Sequence, residues 1–187
     1  MSRTLEERVR ELEDREQIKA LVGRYGFVVD GRDMDGIADC FTATASVIST
    51  DGVHHSKGRD EVVAQYHNRF SVLGPTNHFT HNHIIWFDEA DPDHAFGTLN
   101  AHGEVVRHGK AMLSALRYDD EYRREADGHW RFEHRLMSYF YYLEPKDYSA
   151  LLPTPLRMCA YEQPAPIDFP DNLETYKRYY AEHPRSE

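Results

Sequence analysis

Cysteine is scarce in this sequence: Cys40 and Cys159 are the only two in 187 residues. That scarcity excludes a disulfide framework and a four-thiolate zinc site. No run of about 18 consecutive apolar residues occurs, so no helix is expected to span a membrane. The opening MSRTLEERVRELEDREQ is charged and lacks the apolar core of a signal peptide, so a cytoplasmic protein is expected. Positive charge is also in short supply. Lys and Arg number 22 against 32 Asp and Glu, a net charge of −10, which argues against nucleic acid as a partner because phosphate binding relies on clustered basic residues. Neither a Gly-rich phosphate loop nor a dinucleotide fingerprint is present, so no nucleotide cofactor is expected.

What remains is a chain with 40% hydrophobic and 12% aromatic residues, which reads as globular. LEERVRELEDREQIKALVGRYGFVVD carries Leu5, Val9, Leu12, Ile18, Leu21, Val22, Tyr25 and Val29 at helical spacing. Its first part is so charged that only a narrow stripe can be buried, and the apolar face widens from Ile18 onward. MDGIADCF predicts a short second helix, ASVIST a strand, and KGRDEVVAQYHNRF a third helix with Val62, Tyr66 and Phe70 on one face. The period then changes to two. Strands are expected over 76–88, 94–107, 111–125 and 130–142. Helices followed by antiparallel strands define an α+β class, here a curved, mainly antiparallel sheet wrapped around the N-terminal helices as a cone-shaped barrel. Residues 1–144 make that domain. Beyond Glu144 come seven of the nine prolines, six of them within 26 positions, and residues 145–187 read as a Pro/Tyr-rich extension packing on the barrel or on a neighbouring subunit.

Three histidines crowd into PTNHFTHNHIIWF, residues 75–87. Strand alternation puts His78, Thr80, Asn82, Ile84 and Trp86 on one face and Phe79, His81, His83, Ile85 and Phe87 on the other. His81 and His83 have the spacing of two metal ligands on one strand face. Gly74, Glu89 and Gly97 around them imitate a cupin motif, but each spacing is about one residue too long, and nothing demands a third ligand from His102, Glu104 or His134. No metal is expected; His81 and His83 read as structural or interfacial, and His54 and His55 as solvated turn residues. His78 paired with a carboxylate such as Asp30 reads, on the residues alone, as a structural hydrogen bond. Asn82 and Trp86, on the face of His78, and Asn100, Tyr118 and Tyr139 lie on strands where they can line the substrate cavity, and Arg135 reads as a marker of the final hairpin. The aromatic wall suits a ring-bearing small molecule.

The chain resembles the SnoaL-like branch of the nuclear-transport-factor-2-like superfamily over about residues 8–142. The likeness rests on DREQIKALVGRYGFVVDGRDMDGI, FTATASV, KGRDEVVAQY, NHFTHNHII and the closing hairpin YDDEYRREADGHWRFEHR. Within that family it is similar to cofactor-free lyases of the scytalone dehydratase, bile-acid dehydratase and hexachlorocyclohexane dehydrochlorinase type. These share an Asp in a VVDG-like context and a His in an NHFTHN-like context, which fall here on Asp30 and His78. The resemblance implies His78 as general base on the cavity face, Asp30 as its orienting carboxylate and Tyr25 as a donor to the carbonyl or leaving group. It places Ser49 and Tyr139 where the bile-acid enzyme has substrate-facing groups, and Val105 where a second catalytic His would stand. It implies a lyase, with loss of water favoured over loss of halide or of a carbon fragment. A ketosteroid-isomerase-like isomerase and a non-catalytic ligand-binding or assembly module remain alternatives. It also implies a homo-oligomer, a trimer before a dimer.

Overall fold

The computed structural model describes residues 3–185. Helix α1 (Leu5–Asp30) begins at a capping box: the Glu7 N–H donates to the Thr4 hydroxyl at 3.1 Å, and the Thr4 N–H donates to the Glu7 carboxylate at 2.7 Å. Two of the four orphan donors of the first turn are thereby satisfied. Leu5, Val9 and Leu12 nevertheless stay exposed, so the narrow stripe expected there is not covered by any of the described residues. From Ile18 onward the helix turns Ile18, Leu21, Val22, Tyr25, Val28 and Val29 into the core. Asp14 fixes the angle of entry, accepting from Arg124 at 2.7 Å and from the Trp130 indole at 2.9 Å.

Short helix α2 (Met34–Asp39), capped by the Asp33 carboxylate, leads into β1 (Phe41–Ser49); β2 (His55–Lys57) and α3 (Arg59–Phe70) follow. The long strands are β3 (Leu73–Phe87), β4 (His94–Arg107), β5 (Lys110–Arg124) and β6 (Trp130–Leu143). They form one six-stranded sheet in the order β2-β1-β6-β5-β4-β3, antiparallel except for β1 against β6. The β4–β5 turn is a two-residue connection in which His108 and Gly109 both have positive φ, 48° and 76°, the pairing a type I′ hairpin requires. The sheet curls with α1 and α3 inside its concave side, the cone-shaped α+β architecture expected from the element order.

One irregularity decides which side chains face the interior. Thr80 pairs with Ala101 but His83 pairs with Leu99, so three steps on β3 match two on β4. This bulge inverts the alternation. Thr76 and His78 point inward before it, and His83, Ile85 and Phe87 after it. Asn82 and Trp86 therefore do not share the face of His78. They are exposed together with Ile84 on the outer side of the sheet.

After Leu143 the chain makes a 3₁₀ turn (Pro145–Asp147) and α4 (Tyr148–Leu151), then runs beside β6. Tyr142 accepts from Cys159 N–H at 2.7 Å and donates to Arg157 C=O at 2.8 Å. Met158, Ile167 and Phe169 are buried in the core, and α5 (Glu174–Glu182) closes the described chain. Within residues 3–185 no helix is long and apolar enough to cross a membrane.

Candidate active site

Asp30 is the last residue of α1, and His78 lies on the adjoining edge of β3. The carboxylate is used on both oxygens. Oδ1 accepts from His78 Nδ1 at 2.6 Å and from the Thr76 hydroxyl at 2.7 Å, while Oδ2 accepts from the His78 backbone N–H at 2.8 Å. Burial pushes the Asp30 carboxyl up, but the hydrogen bonds from His78 and Thr76 outweigh it and hold the group below its ordinary range. An ionised Asp30 cannot donate, so Nδ1 must carry the imidazole proton. Nε2 is then the lone-pair nitrogen, and it has no hydrogen-bond partner among the described residues.

Thr76 is itself supported. Arg32, left-handed at φ 57°, donates to Thr76 Oγ1 at 2.9 Å, to Val29 C=O at 2.7 Å and to Gly74 C=O at 2.5 Å, and stacks on the Phe70 ring. The pair is thus held from the helix end, the strand and the intervening loop.

His78 opens onto a narrow pocket of about 30 Å³ walled by Val29, Tyr66, Phe70, Thr76, Val105, Leu116, Tyr118 and Tyr139. That is room for a water or two beside the imidazole. Burial raises the phenols of Tyr66 and Tyr118 well above their ordinary value and pushes Tyr139 up to about 12, Arg69 opposing the latter. All three are neutral hydroxyl donors at physiological pH. An outer vestibule of about 360 Å³ shares the Arg69, Tyr139 and Tyr142 wall with this pocket.

The expected site residues divide. His78, Tyr118 and Tyr139 line the pocket, and Asp30 stands behind His78. Tyr25 stands one layer behind: its hydroxyl meets the Tyr66 hydroxyl at 2.5 Å, and its ring lies edge-on to His78 at 6.5 Å. Asn82 and Trp86 are excluded by the bulge. Asn100 alternates outward between buried Leu99 and Ala101. Ser49 is buried but spends its hydroxyl on the β1–β2 turn, where it bonds the Asp51 carboxylate and accepts from the His54 N–H at 2.9 Å. His81 and His83 lie on opposite faces. The former contacts His102 at 2.7 Å on the outside, and the latter meets the Tyr122 hydroxyl at 3.1 Å inside. Among the described residues no three His, Cys, Asp or Glu side chains are grouped to hold a metal. His54 is not a solvated turn residue: it is partly buried in the vestibule wall.

Two features carry no local signature in the sequence. Arg135 is fully buried, bonded twice to buried Asp120 at 2.8 Å and enclosed by the rings of Tyr25, Tyr118 and Phe132 at 3.9–4.3 Å. It is a core ion pair behind the pocket rather than a hairpin marker. Arg69 lines both cavities from α3, beside the apolar positions 62, 66 and 70 that a periodicity reading selects.

A concave α+β sheet enclosing a small aromatic pocket, with one His–carboxylate pair at its wall, defines a protein of the nuclear-transport-factor-2-like superfamily. The chain belongs to the SnoaL-like domain family, whose profile matches residues 10–136. Solved structures agree. A proposed aromatic ring hydroxylase from Novosphingobium aromaticivorans is 26% identical, with 68% of this chain and 90% of that one covered at a TM-score of 0.63. Hexachlorocyclohexane dehydrochlorinase LinA-type3 from Novosphingobium barchaimii is 21% identical over 73% and 92%, at a TM-score of 0.64. A proposed scytalone dehydratase from Novosphingobium aromaticivorans is 17% identical over 72% and 89%, also at 0.64. No curated protein matches the sequence.

Proposed function

We propose that the protein is a cofactor-independent lyase, a dehydratase acting on a hydrophobic ring-bearing small molecule by proton abstraction. The observation that carries this is the clamp on His78: Nδ1 at 2.6 Å from a carboxylate that also holds the residue's own N–H, with Nε2 left free at the pocket. In this reading Nε2 accepts the proton from an acidic C–H of the substrate, and Asp30 stabilises the imidazolium as it forms. A neutral Tyr66, Tyr118 or Tyr139 donates to the carbonyl or to the departing hydroxyl, and Tyr25 holds Tyr66 in place. The C–H and C–O bonds break as a C=C forms; the proton taken by Nε2 passes to the departing hydroxyl, which leaves as water, and the tyrosine hydrogen bond steadies it as it goes. The likeness to a dehydrochlorinase and a proposed dehydratase supports a lyase on this scaffold; loss of halide would need the same base. Incubation with a panel of cyclic β-hydroxy ketones, followed by mass spectrometry, tests the reaction type. Loss of one water is expected, whereas a product of unchanged mass would make the protein an isomerase.

We also propose that the assembly is a homotrimer and that residues 145–187 act as an extension of the SnoaL-like domain. Supporting an interface between subunits are Ile84 and Trp86, 64% and 47% exposed on the outer face of β3; supporting the extension are Met158, Ile167 and Phe169, buried against the domain. Trp86→Glu is expected to shift the mass seen by light scattering toward that of the monomer. An unchanged mass would remove this face from the interface.

A further inference from the structure

Arginines in this acidic chain are mostly spoken for. Arg124, Arg131 and Arg135 are paired with carboxylates, and Arg32 and Arg157 donate to backbone carbonyls. Arg69 is different. Among the described residues it has no carboxylate within 4 Å and no hydrogen bond, although it lines both the His78 pocket and the vestibule. One helical turn earlier, Gln65 stands in the same vestibule wall. Its Oε1 accepts from the Ser56 hydroxyl at 2.8 Å, and its Nε2 is left as a buried donor without an acceptor. Such a group is costly to leave unsatisfied, and a ligand acceptor would relieve it. A third donor comes from across the vestibule. Arg107, also without a carboxylate partner among the described residues, uses Nε on Ala160 C=O at 2.9 Å, which leaves the other guanidinium nitrogens unassigned. His54, in the same wall, is driven down to about 3 by burial, with Arg69 and Arg107 adding to that and Asp51 opposing it. Two arginines, a glutamine whose buried amide donor is unsatisfied and a neutral imidazole line one space of ligand size.

We propose that this vestibule is an anion subsite, in which Arg69, with Arg107 and Gln65, takes the carboxylate of a ring-bearing acid. The inference rests on the lyase reading above for the reacting end of the molecule, and it narrows the substrate class to cyclic carboxylic acids. The geometry gives a reason for the division of space. The inner pocket admits only the reacting C–H and its leaving group, while the outer one holds the ring and its acid. A guanidinium is suited to that task because its donors match the two oxygens of a carboxylate.

Calorimetric titration of the intact protein with benzoate and with benzamide, its neutral isostere, tests this without turnover. Benzoate is expected to bind at least about ten-fold tighter than benzamide, consistent with charge-assisted hydrogen bonds to a partly desolvated arginine. Arg69→Met should abolish that preference while leaving benzamide affinity unchanged; Arg69→Lys, which keeps the charge, should retain part of it. Equal affinities in the wild type, or a preference that survives Arg69→Met, would overturn the subsite. Should Arg69→Met not fold, Gln65→Leu and Arg107→Met in the same titration replace it, each expected to weaken benzoate alone. His78→Ala should bind benzoate normally. A benzoate preference in a protein that dehydrates nothing would sink the lyase reading and leave the subsite standing. Turnover of neutral ring alcohols with no benzoate preference would do the reverse.

Discussion

His78→Ala is expected to lower kcat by about 10²–10⁴-fold, the range a positioned general base contributes, with the fold unchanged. The side chain is 17% exposed and already lines the pocket, so truncation removes the base by widening an existing space rather than opening a new cavity in the core. What it leaves behind is an Asp30 that still accepts from Thr76 at 2.7 Å and from the backbone N–H of residue 78 at 2.8 Å. Two of its three hydrogen bonds persist, and the carboxylate is not orphaned. Thermal melts should therefore move by only a few degrees while turnover collapses. A folded His78→Ala protein with undiminished turnover would end the account of His78 as base. Asp30→Asn should reproduce much of the loss through a different route: the amide can donate to Nδ1, which favours the tautomer with the proton on Nε2.

Asp120→Ala is expected to destabilise the protein by about 3–5 kcal/mol, the cost of stripping one partner from a buried ion pair. Arg135 has no access to solvent, and both of its carboxylate bonds end on Asp120. Its Nη1 already lacks a partner, so nothing nearby can take over. The surrounding rings of Tyr25, Tyr118 and Phe132 offer their π faces, which help a cation but do not replace a carboxylate. For a chain of this size that energy corresponds to a fall in Tm of roughly 10 °C or more. The double change Asp120→Ala, Arg135→Met removes both charges and should recover much of the loss, because replacing a buried pair by apolar groups is often near neutral. A fall below about 1 kcal/mol in Asp120→Ala would mean that the pair is solvated in a way this packing does not show. The same network reaches the sheet edge through the Tyr122 hydroxyl, 3.0 Å from Asp120 and 3.1 Å from His83. His83 is thus tied to the core pair.

Much of this arrangement is readable in the amino-acid order, for identifiable reasons. The helix ending at Asp30 announces itself by its apolar period and by the DGRD break, and β3 to β6 by alternation and turn residues. The opposition of Asp30 and His78 followed from family resemblance, since two residues 48 positions apart have no local relation. The facing of β3 beyond Thr80 was not readable. A bulge adds one residue to the strand without changing its composition, so Asn82 and Trp86 count as inward by period and lie outward in space. Asn100 shows the simpler case: its neighbours Leu99 and Ala101 are the buried ones. Arg135 and Arg69 were not legible because burial of a charge depends on partners brought by other elements, Asp120 for the first and the vestibule walls for the second. Tyr66 was legible as a core residue of α3. Its place between Tyr25 and the pocket was not.

The central claim is that Asp30 fixes the His78 proton on Nδ1 and leaves Nε2 as the acceptor. Long-range ¹⁵N–¹H correlation spectra of ¹⁵N-histidine-labelled protein at neutral pH read the tautomer directly and need no substrate. The account predicts one imidazole in the Nδ1–H form, absent from His78→Ala and switched to Nε2–H in Asp30→Asn. A His78 signal in the Nε2–H form in the wild type, or one indifferent to Asp30→Asn, would contradict it.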